Sequence, residues 1–131
     1  MLYASIITFV LFIVFDVIWW GFIAKGFFKS TMSHMARMND GNVNIYYPSG
    51  AFVYVLMSAA LALFVLKNPT VNSIQTAALY GGFLGLCLFV TFDFTNHAIL
   101  ANYPIKFAIV DTLWGTFMCA AVSALAYKII N

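Results

Sequence analysis

Three of the four acidic residues of this chain lie within or at the edge of long apolar stretches, and they are the residues most able to do chemistry. They are Asp16, Asp93 and Asp111. An ionised carboxylate at the middle of a membrane helix costs at least about 2.5 kcal/mol, so such residues usually have a function. If the three carboxyl groups met at similar depth, they would repel one another unless at least one held a proton or a cation.

Two of these aspartates are followed by a tryptophan at the same spacing. Asp16 precedes Trp19 by three residues, as Asp111 precedes Trp114, which places each pair on one face of a helix. An indole N–H can donate to a carboxylate, although tryptophan is also typical of the aromatic belt at a membrane surface. We predict one ligand-binding set, which comprises Asp16, Trp19, Asp93, Asn96, Asp111 and Trp114.

The composition favours a membrane protein. Of the 131 residues, 64% are hydrophobic and 8% are charged, whereas a soluble domain carries roughly 25% charged residues. The aromatic content of 18% excludes a disordered chain, and six scattered basic residues offer no surface to nucleic acid. We expect a multi-pass integral membrane protein of the bacterial inner (cell) membrane, surrounded by the lipid bilayer.

Four apolar stretches are long enough to cross a bilayer, which takes about 20 residues each. We predict spans at about 2–24, 48–66, 74–95 and 105–130, within a single membrane domain over residues 1–131. The predicted fold class is an all-α membrane protein, a four-transmembrane-helix bundle.

The polar segment 25–45 joins the first two spans. Basic and polar residues recur at every fourth position from Lys25 to Arg37, which predicts a short amphipathic helix at the membrane interface before a turn at 39–42. A loop with one helical turn is the alternative. The basic residues lie mostly in the two odd-numbered loops, which predicts that both termini are outside the cell.

Alternation of the spans puts the aspartates on one side of the membrane. Asp16 lies about 12 Å in from the end of the first span and Asp111 about 9 Å in from the start of the fourth, with Asp93 nearer the surface. From the second span, Tyr46, Tyr47 and Tyr54 are candidates to complete the set.

Small residues recur at every fourth position in the third and fourth spans, and they allow helix backbones to approach closely. They are Ala77, Gly81 and Gly85 in the third span and Gly115, Cys119 and Ser123 in the fourth. Because the second group continues the face of Asp111, we expect that carboxyl group to point into the bundle.

These motifs resemble an uncharacterised family of small four-helix membrane proteins, domain of unknown function 2177. The resemblance rests on Asp16 with Trp19, on Phe92-Asp93-Phe94-Thr95-Asn96 and on Asp111-Thr112-Leu113-Trp114-Gly115, and it covers nearly the whole chain. The family's third-span motif usually reads Tyr-Asp-Leu-Thr-Asn, so Phe92 lacks a phenol that could relay a proton. The resemblance implies the architecture and the site residues, and it implies no activity.

Three functions are compatible with this pattern. The first is a pocket near one membrane face that binds a cation, a proton or a small polar ligand, in a carrier that works as a homo-oligomer. The second is a membrane-embedded enzyme that uses the aspartates as acid and base on a lipid-like substrate. The third is an accessory subunit of a larger membrane complex.

Other chemistry has weak support in the sequence. It contains no nucleophile elbow, phosphate loop or metalloprotease helix, and it indicates no particular cofactor. Methionines near His34, together with Cys87 and Cys119, are soft metal ligands, but no pair has the spacing typical of zinc sites. We therefore predict no metal site.

Overall fold

The computed structural model describes all 131 residues and shows an all-α membrane bundle. Four of its helices are long and apolar enough to cross a membrane, as the sequence predicts. The elements in chain order are α1 (Leu2–Ile23), α2 (Lys25–Met32), β1 (Met38–Asn39), β2 (Asn42–Val43), α3 (Tyr47–Leu66), α4 (Ile74–Ile99) and α5 (Ile105–Ile130).

The third long helix continues for one helical turn beyond the predicted span. The polar residues around Asn96 suggested an end near residue 95, whereas α4 continues to Ile99 and Leu100 N–H donates to Asn96 O at 2.8 Å. In a membrane every backbone polar group needs a partner within the protein, and the helix supplies those partners. Asn96 therefore lies inside the helix.

A π-helical turn closes α1 and sets the direction of the next segment. Trp19–Ile23 form this turn, and Ala24 N–H donates to Trp19 O at 2.6 Å. Ala24 leaves helical geometry, with φ −105° and ψ 12°, and α2 begins directly after it. This α2 is the predicted short amphipathic helix, and Phe28 on its apolar side packs against Phe107 of α5.

A small β-hairpin follows α2. Met38 pairs with Val43 across it, and the turn uses Asp40 and Gly41 with φ of 51° and 76°. Asp-Gly suits a two-residue hairpin because both positions need positive φ. The turn lies where the sequence predicts one, although the two short strands beside it were not predicted.

Helices α4 and α5 approach closely along the two stripes of small residues. A methyl group on Gly81 would lie 2.7 Å from the backbone oxygen of Cys119, and one on Gly85 would lie 2.8 Å from that of Gly115. Glycine is therefore required at both positions for this helix spacing. The packing turns Asp111 inward, as expected from the sequence, and leaves it 6% exposed.

The core lies between these two helices and α1 and α3. Phe12 of α1, Leu61 and Val65 of α3, and Met118 and Val122 of α5 are its largest buried apolar side chains. Many other apolar side chains are exposed, as expected for helices that face lipid tails.

Candidate functional site

Asp16 is the first carboxyl group of the site, and side chains from two other helices hold it. Tyr54 of α3 donates a hydrogen bond to Oδ2, and Trp114 Nε1 of α5 donates to Oδ1 at 2.8 Å. Each carboxylate oxygen thus has one protein donor and keeps a further acceptor position. Of the three candidate tyrosines only Tyr54 reaches the site, since Tyr46 and Tyr47 are exposed.

The two tryptophans that follow the aspartates stack on each other. The rings of Trp19 and Trp114 are 4.5 Å apart and within 6° of parallel. The stack fixes the Trp114 indole, whose N–H reaches Asp16 from α5. The Nε1 atom of Trp19 is buried and has no hydrogen-bond partner.

Asp93 is fully buried, although its place near the end of the third span suggested a position close to the surface. Tyr103 Oη donates to Oδ1 at 2.7 Å, and Thr112 Oγ1 donates to Oδ2 at 3.3 Å. Tyr103 belongs to the loop between α4 and α5 and covers the carboxyl group. Buried polar groups are normally paired in this way, and each carboxylate oxygen of Asp93 has one protein donor.

The carboxyl groups of Asp93 and Asp111 lie next to each other between α4 and α5. Two neighbouring carboxylates would repel each other, so one of the two groups holds a proton. The pair therefore behaves as one unit that shares a proton. Its Asp93 side is enclosed by protein, and its Asp111 side faces a cavity.

Tyr103 stays protonated and able to donate to this pair. Burial raises the pKa of the Tyr103 phenol, and the hydrogen bond to Asp93 acts in the same direction. Hydrogen bonding to Asn96 acts in the opposite direction, which places that predicted residue beside the phenol. His97 is exposed.

A cavity of about 580 Å³ lies between the end of α1, α2, the hairpin and α5. Asp16 and Asp111 both line it, while Asp93 does not. Trp20, Phe28 and Phe107 provide apolar wall. Such a combination of a mostly apolar wall with a few convergent polar groups is typical of small-molecule sites.

The structure contains no group of three or more His, Cys, Asp or Glu side chains placed to hold one metal ion. Asp16, Asp93 and Asp111 lie at the same end of the bundle without forming a shared coordination shell.

Fold and site together define a small integral membrane protein with four apolar helices and buried carboxyl groups between them. The chain belongs to the family described as "Predicted membrane protein (DUF2177)", whose model matches residues 1–128, in agreement with the resemblance seen in the sequence. Comparison with curated proteins and with solved structures found no match.

Sequence reasoning missed four contributors to this site. Tyr103 and Thr112 bind Asp93, and Lys25 and Lys29 line the cavity from α2. The signal for Tyr103 was present, since a phenol in the loop at the aspartate end is within reach of a buried carboxyl group. The position of Lys29 depends on the break at Ala24, which no residue pattern marks.

Proposed function

We propose that the protein binds a small polar ligand in this cavity through Asp16 and Asp111. The observation that carries the proposal is that two carboxyl groups from opposite ends of the chain line one cavity of about 580 Å³. Ligand pockets commonly have volumes of about 300–1,000 Å³. A carboxylate retained inside a membrane protein, where a neutral side chain would suffice for packing, favours a function.

The remaining predicted residues support Asp16 and Asp111, the two residues that contact the ligand in this proposal. Trp114 holds Asp16, and Trp19 holds Trp114 by stacking. Asp93 holds Asp111, while Asn96 lies beside the phenol that binds Asp93. These four are positioning residues in the proposal.

The available acceptor positions select a ligand that donates hydrogen bonds. Asp16 already accepts one bond on each oxygen, and Asp111 shares a proton with Asp93. A hydroxyl or an ammonium group satisfies the remaining lone pairs. An ammonium group also compensates a carboxylate charge, which would be costly to leave unpaired in a membrane.

Within this proposal the protein works in the bacterial inner membrane as a carrier, assembled as a homo-oligomer. Two matching elements support transport, Asp16 with Trp19 in α1 and Asp111 with Trp114 in α5. These elements run in opposite directions through the membrane, and inverted elements around a shared site are typical of transporters.

Thermal unfolding of the purified protein in a fixed detergent tests the proposal. Dodecylamine and dodecanol serve as probes, because they share one tail and present an ammonium or a hydroxyl head group. We expect at least one of them to raise the Tm of the wild type. Asp16→Asn and Asp111→Asn should fold and lose most of that shift.

Asp40→Asn is the matched control. It removes the same charge at the hairpin turn, where asparagine tolerates the positive φ, and Asp40 does not line the cavity. The Tm shift should persist in this variant. A shift that survives in both cavity variants, or the absence of any shift in the wild type, would contradict the proposal.

The carboxyl pair favours a second candidate, a membrane-embedded enzyme that acts on a lipid-like substrate. Asp93 and Asp111 hold one proton between them beside a cavity with apolar walls, and general acid–base catalysis needs such a proton on a positioned group. Incubation of the protein in vesicles of bacterial polar lipids, followed by mass spectrometry, should then show a new lipid species. The Asp111→Asn variant should not form it, and an unchanged lipid profile with the wild type excludes this activity on those lipids.

A further inference from the structure

Two lysines line the cavity at its outer end. Lys25 and Lys29 are one helical turn apart on α2, so their ammonium groups lie on one face of that helix. Neither residue has a place in the binding of a hydroxyl or ammonium group by Asp16 and Asp111. Their presence in the same cavity therefore calls for a second ligand group of opposite charge.

The local fold brings these lysines to the cavity. The break at Ala24 starts a new helix, and Phe28 of that helix packs against Trp20 and Phe107. The contact fixes the rotation of α2, so that the residues on either side of Phe28 in space, Lys25 and Lys29, border the opening. Lysine side chains extend their apolar stems along such aromatic walls and keep the charge at the surface.

The lining of the cavity carries both signs of charge. Asp16 lies within α1, seven residues before its end, whereas Lys25 and Lys29 lie beyond that end, on α2. Aromatic side chains also line the cavity. A ligand that fits this lining carries an anionic group near the membrane surface and an apolar part beside it.

We infer that Lys25 and Lys29 form an anion subsite that takes the phosphate group of a membrane amphiphile. The inference rests on the proposed function, because it assigns a substrate class to the same cavity. Lysine is a common phosphate ligand, and basic pockets between membrane helices bind lipid head groups. The volume of about 580 Å³ is far larger than one phosphate group requires, which favours a lipid phosphate over the free ion.

Binding of dodecyl phosphate tests the inference against dodecanol, which has the same tail and no charge. We expect dodecyl phosphate to bind the wild type about tenfold more tightly than dodecanol, since a charge-assisted contact contributes at least that factor. The double variant Lys25→Gln/Lys29→Gln should abolish this preference, so that dodecyl phosphate and dodecanol bind with about equal affinity. The variant Lys25→Arg/Lys29→Arg should retain it, because both charges remain.

Lys106→Gln is the matched control, because it removes a lysine charge from the loop end of α5 and Lys106 does not line the cavity. The preference should persist in this variant. If Lys106→Gln loses the preference as fully as the double variant does, general surface charge explains the binding and the inference is overturned. The inference also fails if dodecyl phosphate and dodecanol bind the wild type equally.

Two further measurements separate the possible outcomes. Competition by inorganic phosphate at millimolar concentration would assign the subsite to the free ion and overturn the lipid assignment, whereas no competition supports it. Dodecylamine binding to the double variant reports on Asp16 and Asp111 alone. Dodecylamine binding to the double variant supports the proposed function. If the wild type at the same time shows no preference for dodecyl phosphate, the anion subsite is rejected and the proposed function is retained.

Discussion

The two ends of the α4–α5 helix pair differ in how they are packed. At one end Gly81 and Gly85 bring the backbones together, and the facing side chains of Cys119 and Ser123 are fully buried. At the other end Asp111 sits between a buried partner and a cavity. At the first end, close packing of small residues leaves no space between the helices. At the second end, the carboxyl group of Asp111 remains accessible from the cavity.

The difference shows how a chain of this size can combine rigidity with an open site. Close backbone contact at the glycine end fixes α4 against α5, because closely packed protein interiors resist compression and transmit strain. That contact holds Asp93 against Asp111 at the other end, where Tyr103 and Thr112 complete the shell of Asp93. The cavity can then form on one side of a fixed pair.

The largest expected effect is at the closed end. Gly81→Ala places a methyl group 2.7 Å from the Cys119 backbone oxygen, which cannot move without separating the helices. We expect a loss of about 3 kcal/mol in the free energy of unfolding, measured by SDS titration in mixed micelles. Gly50→Ala is the control, since nothing lies within 4 Å of the added methyl group, and its effect should stay within about 0.5 kcal/mol.

The second prediction compares the two members of the carboxyl pair. Asp93→Asn leaves one carbonyl oxygen for two hydroxyl donors, so one buried donor loses its acceptor, and we expect a loss of about 2 kcal/mol. Asp111→Asn can still donate to Asp93 and should lose less than about 1 kcal/mol. The same unfolding assay measures both, and equal losses would remove the distinction between a structural and an accessible aspartate.

The smallest effect concerns the phenol that covers Asp93. Tyr103→Phe removes one buried hydrogen bond of 2.7 Å, and we expect it to lower the free energy of unfolding by about 1 kcal/mol. Tyr47→Phe, at a side chain 75% exposed, should change it by less than about 0.5 kcal/mol. An unchanged stability in Tyr103→Phe would mean that the loop does not close over Asp93.

Much of this architecture could be predicted from local sequence patterns. Apolar length gives the four spans, and the spacing of Gly81 and Gly85 gives the close contact of α4 with α5. The helical period also puts Asp16 and Trp114 on inward faces, where they meet. These features follow from residues a few positions apart, for which the helix fixes the relative direction of side chains.

The parts that escaped prediction depend on backbone breaks between the spans. Tyr103 reaches Asp93 only because the loop after Ile99 folds back over the helix end. Lys25 and Lys29 border the cavity only because α1 ends in a π-helical turn and Ala24 redirects the chain. Trp20 and Phe28, which flank the break at Ala24, pack against each other and against Phe107, which is distant along the chain.

The central claim is that Asp111 faces the cavity whereas Asp93 is enclosed, and carbodiimide labelling tests it most directly. Dicyclohexylcarbodiimide reacts with protonated carboxyl groups that it can reach in apolar surroundings. Trypsin separates the three aspartates of the site onto peptides 1–25, 68–106 and 107–128, so mass spectrometry can assign each adduct. We expect the adduct of the carboxyl pair on peptide 107–128, which contains Asp111, and none on peptide 68–106. Labelling of peptide 68–106 at an equal or higher level would contradict the account.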